Sequence, residues 1–247
     1  MSSPVKPPQD AVTLRRLRLG IGTVGIALPI VLTIGNGLTT GDFAPLDSIS
    51  ASYHTDMRDV FVGGMCAIGV FLICYRYRRV DDVLSSIAGT LAIAVAVFPA
   101  ATGVPRAALT STDVTIGRLH QVAAAALFVL LAVFCIFLFP QTDPTTPPTR
   151  RTRARNGVYR ACGGIITAAI VLAVASNALP DSVRDTIKPL FWCEAVAVFA
   201  FGTAWLVKGE AMFSDSYDTD DRAGGAPVPD HDPAGGSTSA TGATAGA

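Results

Sequence analysis

Six apolar runs, each between 17 and 21 residues long, dominate the chain. They occupy residues 19–38, 59–75, 83–101, 119–139, 161–179 and 190–207. A helix needs about 20 apolar residues to cross a hydrocarbon core about 30 Å thick. No water reaches backbone amides inside that core, so only helices and closed barrels span it. A barrel strand would alternate lipid-facing and lumen-facing residues, whereas these runs are continuous. The expected fold is therefore all-α, a six-helix transmembrane bundle over residues 15–207. Composition agrees. The chain is 50% hydrophobic and 15% charged, against about 25% charged in an average globular domain. Its 19 Lys+Arg balance its 19 Asp+Glu, so the basic excess of a nucleic-acid binder is missing; the apolar runs make the lipid bilayer the expected partner.

Arg15, Arg16 and Arg18 precede the first run as they would in a signal peptide. The run itself exceeds the roughly 7–15 residues of a signal-peptide core. We read it as an anchor that stays.

Orientation follows from Lys and Arg. Fourteen of the nineteen lie in the N-terminus, the 76–82 loop, the 140–160 loop or the tail. The remaining five are Arg58, Arg106, Arg118, Arg184 and Lys188. The positive-inside rule puts the first group in the cytoplasm. Expected localisation is the cell membrane, multi-pass, with both termini cytoplasmic. Residues 1–14, with Pro4, Pro7 and Pro8, are expected to be disordered. So are residues 208–247, an acidic tail of Asp, Gly, Ala, Ser, Thr and Pro that cannot bury enough apolar surface to order itself. Residues 142–155 form a Pro/Thr/Arg-rich linker between the fourth and fifth runs.

Gly20-Ile21-Gly22-Thr23-Val24-Gly25 spells GxGxxG. The dinucleotide fingerprint works only where a strand turns into a helix. Here the motif sits in the first apolar run, where small residues let helices approach closely. Gly163 and Gly164 read the same way. The five cysteines (Cys66, Cys74, Cys135, Cys162 and Cys193) lie in apolar runs without a CxxC pair and act as small hydrophobes.

Residues 47–59 are the most distinctive stretch. Asp56 is placed to cap the second helix, with Asp59 favoured by the dipole of its first turn. Ser48, Ser50, Ser52, Tyr53 and His54 alternate as in a short extended segment with one polar edge. His54, Asp56 and Asp59 are also ordinary divalent-metal ligands.

The stretch SISASYHTDMRDVFVGGMCAIGVFLICYRYRR, with AGTLAIAVAVFP and LHQVAAAALF after it, resembles a family of uncharacterised bacterial multi-pass membrane proteins of actinobacterial type. The likeness spans residues 15–207 and implies a membrane fold. It implies no activity, cofactor or catalytic residue.

Polar groups gather towards the outer ends of the runs: Asn36, Arg58, Asp59, His120, Gln121, Asn177 and Glu194. Asn36 and Asn177 read as interhelical glue. Glu194 is the one carboxylate well inside a run. It needs a partner, a proton or a wet cavity. His120 lies at a similar depth and is its natural partner. The candidate pocket is therefore His54, Arg58, Asp59, His120 and Glu194. Three readings of it stay open. One is a binder of a lipid or small molecule in an outward-facing polar pocket. A second is a membrane hydrolase using a metal or a His–carboxylate pair. Membrane hydrolases of the alkaline ceramidase and adiponectin-receptor type hold zinc with three histidines. This chain has His54, His120 and His231, and His231 falls in the tail, so a carboxylate such as Asp59 or Glu194 would have to be the third ligand. The third reading is a transporter.

Overall fold

A computed structural model of the chain describes residues 9–76, 79–101, 108–141 and 149–224, with side chains from 11 to 210 within those stretches. Every regular element among the described residues is helical. The helices are α1 (Gln9–Thr40), α2 (Arg58–Cys74), α3 (Arg79–Val97), α4 (Ser111–Val133), α5 (Arg150–Ala175), α6 (Asp181–Ile187) and α7 (Pro189–Gly224). α4 continues through a π-helical turn, Phe134–Leu138.

Local chemistry sets the ends. α1 stops at Gly41, whose φ of 76° lets its N–H turn back to the Gly37 carbonyl at 2.9 Å. α4 starts with a reciprocal capping box between Thr110 and Asp113. The Thr149 hydroxyl accepts the Thr152 N–H at the start of α5. Lys188, at φ 52°, ends α6 in the left-handed region. Pro189 then opens α7, a position where its missing N–H costs nothing.

α1, α3, α4 with its π turn, α5 and α7 each carry an apolar stretch long enough to cross a membrane. α2 has 17 residues, the lower end of what spans, about 17–25. It packs between α1 and α3. The six long helices pack in chain order, each on the next, and α7 closes the ring against α1. α7 also packs on α5 and touches α4 across the interior. Large apolar side chains face outward all round, such as Val70, Val122, Val171 and Val196, with Val122 69% exposed. Such faces suit lipid, not water.

The glycine motif packs helices. Gly22 lies against the Gly202 carbonyl and Gly202 against the Gly22 carbonyl, so added Cβ atoms would meet oxygens at 2.8 and 2.9 Å. Gly20 faces the Phe71 ring of α2. Gly163 abuts Ile136 and Cys135, but Gly164 has nothing within 4 Å and faces outward, contrary to expectation.

One end of the ring is tied by cations on aromatic rings. Arg18, 1% exposed, donates from Nη2 to the Tyr75 hydroxyl at 2.7 Å. Trp205 is fully buried, with the rings of Tyr75 and Phe139 each edge-on at 5.1 Å. Lys208 Nζ donates to the Phe139 carbonyl at 2.8 Å and lies over the Phe139 and Tyr159 rings. One cluster thus joins α1, α2, the π turn, α5 and α7.

Several boundaries differ from expectation. α1 begins at Gln9, so residues 9–14 are helical. The last proline before it is Pro8, after which nothing forbids the helix. α7 runs to Gly224, well past residue 207. No proline intervenes before Pro227, and adding a residue to an existing helix is far easier than starting one. The rest of the expected disorder, residues 1–8 and 225–247, lies outside the described residues. The 142–155 linker is helical from Arg150; its first part, 142–148, also lies outside them.

Candidate functional site

The end of the ring opposite the Arg18–Trp205 cluster is crossed by residues 42–57, a strap between α1 and α2. Sequence alternation suggested an extended segment here. The backbone instead forms a 3-10 turn, Ser50–His54, with Ser50, Ala51 and Ser52 buried. Ser48 starts it, its hydroxyl accepting the Ala51 N–H at 3.0 Å. The first amides of such a turn have no partner within it and carry partial positive charge. Glu194 supplies the partner from α7. Its Oε2 accepts the Ile49 N–H at 2.7 Å, and the carboxyl also accepts from the Ser50 backbone. An ion pair between Lys188 and Asp47 fixes the strap to the start of α7 a second time.

Both described histidines also serve backbone. His120, 3% exposed, meets the Phe98 carbonyl through Nδ1 at 2.7 Å. His54 meets the Ala100 carbonyl through Nε2 at 2.6 Å. A carbonyl only accepts, so both ring nitrogens carry a proton and donate. The carbonyls lie just past the end of α3, where helical partners run out. His120 and Glu194 are thus each bonded to backbone rather than to one another.

They nevertheless line one cavity of about 250 Å³, enclosed by α4, α5, α7 and the strap. Ser48, Ser50, His120 and Glu194 form its polar end. Ala124, Phe128, Ala169, Ile170, Ala173 and Ala197 supply apolar wall. Gln121, Ala125, Val174 and Asn177 also line it and are exposed, so it opens sideways between α4 and α5. A second cavity of about 60 Å³ lies towards the ring axis beside Pro29, Phe61 and Leu131. Ser50, Ala124, Phe128 and Glu194 border both.

His54, Arg58 and Asp59 do not join this cavity. Arg58 is exposed, stacks over the Tyr53 ring at 4.4 Å and donates to its hydroxyl at 2.8 Å. Asp59 is exposed in the first turn of α2. Asp56 does not cap that helix. Met57 occupies the N-cap position, and no side chain bonds there. Asn177 is not interhelical glue, since its amide donates to the Ala173 and Val174 carbonyls of the preceding turn. Asn36 is buried near the C-terminal end of α1.

Among the described residues no three His, Cys, Asp or Glu side chains cluster closely enough to hold a metal ion. His231 lies outside those residues. The site gained Ser48 and Ser50, whose only sequence signal was the serine spacing beside His54.

No family model matches the chain, and no curated protein or solved structure matches it either.

Proposed function

We propose that this integral membrane protein binds a lipid or small amphiphile in the cavity between α4, α5 and α7. One observation carries the reading: His120 and Glu194, with Ser48 and Ser50, share one apolar-walled cavity that opens sideways to the lipid-facing surface. Pockets with a few convergent polar groups and mostly apolar walls are the usual form of a small-molecule site. A side opening admits ligand from the bilayer without passage through water. We place the protein in the cell membrane with both termini cytoplasmic, so that the cavity lies in the outer leaflet. The arginine distribution supports that orientation.

Photolabelling tests the binding. A diazirine-bearing decanol is added to the purified full chain in phosphatidylcholine nanodiscs and the adducts are mapped by peptide mass spectrometry. Labelling should saturate and concentrate on residues 121–128 and 169–177. Ala173→Phe, which fills the cavity, should abolish it. Uniform, non-saturating labelling over all outward faces would remove the proposal.

A further inference from the structure

Resting on that binding reading, we propose that the occupant carries a primary ammonium head, seated against Glu194 with its alkyl chain leaving between α4 and α5. The argument begins with charge. Among the described residues lining the cavity, Glu194 is the one acidic side chain, and no Lys or Arg lines it. Lys188 is engaged with Asp47, outside the lining. An anionic head would meet a carboxylate with no cation to offset it. A cationic head supplies the full countercharge that two backbone amides do not.

Hydrogen-bond capacity agrees. A carboxylate has about four lone-pair positions. The Ile49 and Ser50 amides take two of them. Ser50 and Ser48 place hydroxyl oxygens at the same polar end. An ammonium has three donors and no acceptor, which matches the lone pairs left on the Glu194 carboxylate; an alcohol brings one donor and a carboxylate none. Beyond the head, Ala124, Ala169 and Ala173 keep the wall low, and exposed Ala125 and Val174 flank the way out.

Three probes of equal chain length separate the head from the tail: decylamine, decanol and decanoate. Each is equilibrated with the full chain in phosphatidylcholine nanodiscs, and binding to empty nanodiscs is subtracted. Decylamine should bind at least about tenfold more tightly than decanol, and decanoate weakest. Glu194→Gln keeps an oxygen for the Ile49 N–H but loses the charge. It should erase the preference for amine and retain decanol binding. Equal affinity for all three probes, or an amine preference unchanged in Glu194→Gln, overturns the ammonium assignment while leaving the amphiphile site standing. Absence of saturable binding by any probe, or full binding in Ala173→Phe, overturns both. Added phosphatidylethanolamine distinguishes the source. Competition supports a lipid headgroup as the ammonium, and its absence supports a free amine.

Discussion

Glu194 sits where a lone carboxylate is expensive, partly buried near the strap end of a helix long and apolar enough to cross a membrane. The strap explains how it is kept. Two backbone amides from a turn 145 residues away in sequence point at it. The same carboxylate therefore holds the strap and faces the cavity. Glu194→Leu would leave the Ile49 and Ser50 N–H groups buried without acceptors, at about 1–3 kcal/mol each. We expect a lower Tm and faster amide exchange over residues 42–57. Glu194→Gln keeps one acceptor and should lose less on both measures. Exchange in Glu194→Leu as slow as in the unaltered chain would show that the Lys188–Asp47 pair and the His54–Ala100 bond hold the strap without Glu194. Arg18 follows similar logic at the other end. Lys in its place keeps the charge but not the planar fork that reaches both Tyr75 and the Lys208 carbonyl. Arg18→Lys should lower Tm nearly as much as Arg18→Met. Full retention of Tm by the lysine would show that charge alone suffices.

Helices meet in this ring through missing side chains. The α1–α7 seam brings Gly22 and Gly202 backbone to backbone, and Gly69 and Gly89 do the same for α2 and α3. Gly22→Val would drive a branched side chain into the Gly202 carbonyl. Overpacking of this kind costs about 1–3 kcal/mol and more where backbone cannot yield. Gly164→Val on the outward face of α5 meets nothing and should leave Tm unchanged. Equal melting of the two variants in detergent would mean the seam tolerates a side chain. This seam was legible in the sequence because the glycines lie inside an apolar run, and the spans were legible from their length. The strap was not. Its 3-10 turn depends on Glu194, and no local pattern announces an acceptor so distant in sequence. The placement of Asp56 failed for a related reason. A single Asp ahead of a helix looks like a cap, yet here the N-cap falls one residue later, on Met57, and α2 starts at Arg58, where the chain leaves the strap. Of the candidate pocket, His120 and Glu194 share a cavity because α7 reaches α4 across the interior of the ring. His54, Arg58 and Asp59 lie exposed at the strap end of the ring, outside the cavity.

At the scale of the whole molecule, the ring has two unlike ends. One holds Arg18, Lys208 and the rings around Trp205, close to Arg15 and its ion pair with Glu210. The other holds the strap, two backbone-bonded histidines and the mouth of the cavity. The start of α1 and the later part of α7 both lie at the first of these ends, joined by that Arg15–Glu210 pair. The arginine-rich connections also fall there, including Arg150, Arg151, Arg153 and Arg155 at the start of α5. Positive charge is unfavourable at a helix N-terminus. Its presence there fits the cytoplasmic placement proposed above, under which anionic headgroups would attract it at about 1 kcal/mol per residue. Reporter fusions read the outcome. A green fluorescent protein joined after Ala247 should fluoresce, and alkaline phosphatase inserted within Asp181–Ile187 should be active. The reverse pattern would turn the molecule over and open the cavity to the inner leaflet, where its ligand would have to be sought instead.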